Sequence, residues 1–182
     1  MTDARPTAPS KSLSIRRLAA GDVETFRALR LEALRCEPAA FASTAAEWEA
    51  LDADGWRRWI ADATLLAAHL DGEPVGLMGF MRQRASKMAH RASVVMVYVR
   101  PEHRGTGLAE ALLSDLCAEA ACDGVVQLEL AVTAENGRAV DFYRRAGFAE
   151  IGRIPGGFRH EGREIDEILM AMRIAPAARA AP

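Results

Sequence analysis

The chain has 182 residues, of which 50% are hydrophobic and 26% are charged, with a formal net charge of −2. That balance suits one compact globular domain and argues against a disordered chain, which would be poorer in apolar residues. A charge so near zero gives no electrostatic case for nucleic-acid or membrane-surface binding, and the longest apolar runs, such as Val94 to Val99, fall far short of the ~20 residues of a membrane helix.

Residues 1–11 are rich in Thr, Pro, Ala and Ser and read as a flexible leader. Residues 175–182, mostly Ala and Pro, read as a loose tail, which leaves 12–174 as one domain. Cys36, Cys117 and Cys122 form no CxxC pair, which fits a reduced, cytoplasmic chain. The histidines at 69, 90, 103 and 160 lack ligand spacing, so no metal is expected. No apolar stretch at the N-terminus reads as a secretory signal.

Between those ends the elements alternate. Ser12 to Leu18 reads as a strand. Asp22 opens a helix to about Cys36, with Phe26, Leu29 and Ala33 at helical spacing, and Pro38 ends it. A shorter helix is expected from Asp54 to about Ala63. Thr64 to Leu70 and Pro74 to about Arg82 flank Asp71-Gly72, a strong hairpin turn. Gln83 to Arg91 reads as a connection, and Ala92 to Val99, rich in β-branched residues, as a buried strand. Leu108 to Cys122 is helical, Val125 to Val132 a strand. Asn136 caps a helix to Ala146, and Gly147 takes its left-handed end. Phe148 to Ile154 and Ile165 to Met172 close the pattern as two strands joined by a glycine-rich loop. The order predicts an α/β fold: a mixed sheet with helices on both faces.

The informative segment is Val97 to Ala109. A strand ends at Val99, a turn carrying Gly105 and Gly107 follows, and a helix starts at Leu108. Such glycines permit close backbone approach, and the free N–H groups of the first helical turn form a phosphate site. A Walker A loop is excluded because no lysine closes the turn. The GxGxxG dinucleotide fingerprint fails at Glu110. An ordinary strand–turn–helix corner is the remaining alternative.

Arg104-x-x-Gly107-x-Ala109 resembles the acyl-CoA loop of the GCN5-related N-acetyltransferase (GNAT) family, and Val99-x-Pro101 matches its lead-in. A second block, Asn136-x-x-Ala139-x-x-Phe142-Tyr143-x-x-Ala146-Gly147-Phe148, is similar to a separate segment of that family. The resemblance implies a sheet of about seven strands splayed in the middle, with acetyl-CoA as co-substrate. It implies that Val97, Tyr98 and Val99 offer main-chain partners to the pantetheine arm. Arg104, Gly105, Thr106, Gly107, Leu108 and Ala109 would wrap the pyrophosphate. Asn136 would bind the cofactor arm, and Tyr143 would be the general acid that protonates the leaving thiolate. Tyr143 as a packing aromatic is the plainer alternative.

Some members of the family carry a catalytic Glu on the strand ending at Val99 or five residues before the Asn. Here the first has no carboxylate and the second is Ala131. Glu129, on the same strand face as Ala131, is a candidate base, with a solvated strand glutamate as the alternative; proton loss through a water chain to bulk solvent is the default expectation. On the acceptor side, Glu32 is expected to meet a cationic amine, as could Asp166 or Glu167; Phe41 and Phe158 are expected near the acceptor. Trp48, Trp56 and Trp59 read as core rather than pocket. The function implied is N-acetyl transfer to a primary amine on a small molecule or peptide, with a catalytically silent acyl-CoA-binding module as the alternative. The family also implies a homodimer.

Overall fold

The structure, a computed structural model, describes residues 12–176. The expected leader, 1–11, and the tail from 177 onward lie outside the described residues.

Strand β1 spans Leu13–Arg17. The Asp22 carboxylate accepts from the Ala19 N–H at 2.8 Å and from Arg16 at 2.8 Å, which fixes the entry to helix α1, Val23–Cys36. Pro38 begins a separate single turn, because its ring cannot continue the helix. Helix α2, Ala45–Glu49, was not expected from the sequence. It is too short to show a stripe. Its signal is a capping box: Glu47 N–H donates to the Thr44 hydroxyl, and Thr44 N–H to the Glu47 carboxylate, at 3.3 and 2.7 Å. Helix α3, Ala53–Asp62, is capped by Asp52, which accepts from Gly55 N–H at 2.7 Å.

Strands β2 (Thr64–Leu70) and β3 (Glu73–Arg82) form the expected hairpin; Asp71 and Gly72 both have positive φ, 51° and 86°. Then come β4 (Arg91–Val99), α4 (Leu108–Cys122), β5 (Gln127–Thr133), α5 (Gly137–Arg145), β6 (Ala149–His160) and β7 (Arg163–Arg173). The seven strands form one sheet in the order β1-β2-β3-β4-β5-β7-β6, with β4 and β5 parallel and the other pairs antiparallel.

The expected loop Pro155 to Gly162 is instead mostly strand. β6 runs through to His160, and the turn narrows to Glu161-Gly162. A register shift between Ile154 and Phe158 absorbs Pro155-Gly156-Gly157, and β6 is an edge strand, where a proline's missing N–H is tolerated. The Asp166 carboxylate holds the shift by accepting from Gly156 N–H at 3.0 Å.

Alternation on the strands gives the sheet two faces. Leu66, Met78, Val94, Leu128, Leu130, Ile168 and Met170 pack with Leu112 and Leu116 of α4. On the other face, Leu65, Ala67 and Leu77 pack with Phe26, Leu29 and Leu34 of α1 and with Trp48 and Trp56. Trp48, Trp56 and Phe26 pack ring to ring at 5.2 to 5.9 Å, so these tryptophans are core. Helices α1 and α3 lie over β2, β3 and β4. Among the described residues no helix covers the same face of β5, β7 and β6: Ala131 is exposed and Ile154 is 42% exposed. The three cysteines are free, and no helix among the described residues is long and apolar enough to cross a membrane.

Candidate active site

Strands β4 and β5 are paired at three positions, Arg91↔Gln127, Ala92↔Leu128 and Ser93↔Glu129, and then part. Met96 has a φ of +56°, and the β3–β4 register shifts between Leu77 and Gly79. After that bulge Val97 and Val99 turn to the α4 side, while Tyr98 points to α1. The stretch Val97–Val99 therefore borders the open part of a wedge, with its β5-facing edge unpaired.

At the end of β4 the chain makes a tight turn. Gly105 and Gly107 have φ of +73° and +88°, a region that side chains rarely adopt. A Cβ at either would meet nothing within 4 Å, so both face open space. The Thr106 hydroxyl donates to the His103 carbonyl at 2.7 Å. Among the described residues no acceptor serves the N–H groups of residues 105–110; the next donor along, Ala111, bonds to the Gly107 carbonyl at 2.9 Å. Leu108 and Ala109 lie in the first turn of α4, where the helix dipole adds positive potential. This cradle fits a pyrophosphate. A groove of about 270 Å³ between α4 and α5 begins beside it, lined by Glu110, Leu113, Cys117, Phe142 and Arg145 among others.

Across the wedge, the Asn136 side-chain oxygen accepts from Ala139 N–H at 3.2 Å and caps α5. Its amide nitrogen has no partner among the described residues. Nearly two turns into α5, Tyr143 is 6% exposed, with Phe142 and Phe148 at ring distances of 5.1 and 5.4 Å. Burial pushes its phenol well above the ordinary value of about 10, so it keeps its proton at every working pH.

The model of the acetyltransferase (GNAT) family matches residues 27–148, which hold both sequence blocks. The chain belongs to the GNAT acetyltransferase family. It is 30% identical over 118 residues to an L-methionine sulfoximine/L-methionine sulfone acetyltransferase of Pseudomonas aeruginosa, covering 65% of this chain and 68% of that one. It is 32% identical over 129 residues to thialysine N-epsilon-acetyltransferase of Bos taurus, covering 66% and 76%. A GNAT acetyltransferase structure from Streptococcus pneumoniae superposes with a TM-score of 0.78 at 22% identity, over 90% of this chain and all of that one (100%). The yncA protein of Salmonella typhimurium, solved with acetyl-CoA, gives 0.77 at 22% identity, over 94% and 98%. At that identity these structures share the fold.

Within this acetyltransferase, several expected site residues are engaged elsewhere. The Arg104 guanidinium turns back to the Val99 carbonyl at 2.9 Å and to Glu37 at 2.7 Å. It braces the turn, and the backbone is what faces outward. Glu129, the candidate base, is held by neighbouring donors. Arg91 grips both of its oxygens and the Gln127 amide donates to it at 2.7 Å, which holds its pKa below the usual carboxylate value. Glu32 is likewise not free for an amine. It accepts two bonds from Arg100 at 2.8 and 2.9 Å and one from the Tyr98 hydroxyl at 2.9 Å, and its pKa is lowered, chiefly by Arg100. Asp166 is committed to Gly156 N–H and lies 3.7 Å from Arg153. The Phe41 ring lies 4.8 Å under the Arg30 guanidinium, in the wall between α1 and α2. Phe158 is buried within β6 opposite Ile165. Glu167 is the carboxylate left over: half-buried, with no hydrogen bond or ion pair among the described residues. Its neighbours are set by strand register, which no local sequence pattern displays.

Proposed function

We propose that residues 12–174 act as one unit in the cytoplasm, moving an acetyl group from acetyl-CoA to a primary amine of a small molecule while both substrates are bound. Acetyl-CoA supplies the acetyl thioester. The free N–H groups of residues 105–110 hold its pyrophosphate, the observation that carries the reading. The unpaired edge of β4 at Val97–Val99 receives the amide arm, and the free Asn136 amide lies across from it. A bond forms between the amine nitrogen and the acetyl carbon as the carbon–sulfur bond breaks. The Tyr143 phenol, protonated at working pH, donates to the sulfur as negative charge builds on it, and regains its proton from solvent, into which the acceptor releases its own. The acceptor's own proton leaves to water, because the nearest expected base, Glu129, is tied to Arg91.

The two small-molecule acetyltransferases to which the chain is similar support a small amine as acceptor. Pairing of two copies would fall on the free edge of β6, where Ile151 is 62% exposed. The test is thiol release from acetyl-CoA with a panel of primary amines. Turnover with at least one is expected. Tight cofactor binding without turnover on the whole panel would instead favour a silent binding module.

A further inference from the structure

We infer that Glu167 receives the positive charge of the acceptor, so that the site selects amines that are cationic in solution. This rests on the acetyl-transfer reading above.

Glu167 lies on β7 between Asp166 and Ile168. Ile168 and Met170 face α4 and α5, so Glu167 projects from the opposite face, the half that α1 and α3 leave uncovered. Its cross-strand partners are Thr133 of β5 and Ile154 of β6. Thr133 is the last residue of β5, well past Ser93↔Glu129, where β4 and β5 part, and three residues before Asn136. Glu167 therefore sits beside the open end of the wedge, on the side away from Tyr143.

The carboxylate is confined there. A Cβ at Gly157 would lie 2.9 Å from its Oε2 and 2.8 Å from the Ile154 side chain, so glycine leaves the room it occupies. Among the described residues no basic group answers its charge. Arg153, which precedes its β6 partner Ile154, is turned to Asp166 and Glu150 at 3.7 and 3.6 Å. Arg163 reaches Glu135 at 2.7 Å. Glu32, Glu129 and Asp166 each have an arginine, and Glu167 has none among the described residues. A half-buried carboxylate without a counter-charge is a ready partner for a cation that reaches it, because water screens it only on its open side. An alkylamine, with a pKa near 10.4, arrives as an ammonium and satisfies that need. An aromatic amine, neutral at the same pH, gains nothing from it.

The experiment compares the native chain with Glu167→Gln, and with Glu167→Asp as the conservative variant. Two acceptor classes are assayed at neutral pH: primary alkylamines and aromatic amines. Calorimetric titration of an alkylamine into CoA-saturated protein runs in parallel. For Glu167→Gln, kcat/KM with alkylamines should fall about tenfold or more, the size of one lost charge-assisted hydrogen bond. Rates with aromatic amines and the KM for acetyl-CoA should stay within about twofold, and Glu167→Asp should recover part of the loss. Equal losses for both classes, or no loss, would overturn the inference, as would absence of alkylamine binding to the native chain. If the native chain binds the alkylamine, the Gln variant does not, and neither releases thiol, then the acetyl-transfer reading fails while Glu167 stands.

Discussion

Arg91 of β4 holds both carboxylate oxygens of Glu129 of β5 beside the last rung that joins the two strands. One of these bonds measures 2.6 Å, and Gln127 adds a third donor. The pair latches the vertex from which the cofactor wedge opens. Its consequence for catalysis is negative: a carboxylate with three donors is a poor proton acceptor.

Glu129→Gln should therefore leave the pH–rate profile unchanged, while the melting temperature falls. The linkage has a definite sign. A depressed carboxylate pKa adds stability above its unfolded value of about 4.3, and that stability is lost as pH falls through the folded value. The melting difference between native and variant chains should shrink on acidification. A shifted pH–rate limb in the variant would restore Glu129 as a base.

Tyr143→Phe removes the proton donor without changing the ring that packs on Phe142 and Phe148. We expect kcat to fall by about 10²–10⁴, with CoA affinity nearly unchanged. The native enzyme should show no loss of acid function up to about pH 10, since burial raises the phenol's pKa. The same shift makes the phenol a stabilising group below about pH 10 whose contribution is lost as pH rises through the folded value. Chemical denaturation above pH 10 should thus weaken the native chain more than the variant.

Much of this fold is legible locally. Leu108–Cys122 and the Asp71-Gly72 hairpin follow from stripe and turn chemistry, and Asn136 and Gly147 from cap chemistry. The glycine turn into α4 is legible too, because strand, glycines and helix start are adjacent in sequence. The carboxylates are not. Glu129 meets a partner 38 residues away, and Glu32 meets partners 66 and 68 residues away. Their chemistry is decided by strand register and by how α1 lies on β4, so each looked free in the sequence. β6 outran its expected end because Gly156 and Gly157, residues of a loop by composition, are absorbed by a register shift on an edge strand.

Glu32→Ala tests the pin between α1 and β4. Tyr98 is 3% exposed, and its hydroxyl would lose its acceptor, while Arg100 would lose both its bonds. An orphaned buried hydroxyl costs about 1–3 kcal/mol, and denaturant titration should read a loss of that size. Because α1 bears on the strand that lines the wedge, CoA affinity should fall as well. Wild-type stability in the variant would remove the pin.

Gly107→Ala separates the conformational demand of the turn from its binding role. A Cβ at Gly107 would clash with nothing, so the stability loss should be that of a left-handed alanine, about 1–2 kcal/mol. The new methyl would stand in open space on the turn that carries the free N–H groups of residues 105–110. Affinity for CoA should then drop more than the stability loss explains, by about tenfold or more, since the pyrophosphate needs the backbone at contact distance. Gly21→Ala is the control: Gly21 has open space around it and no positive φ, so CoA binding should not move. Equal CoA affinity for Gly107→Ala and the native chain would place the pyrophosphate elsewhere.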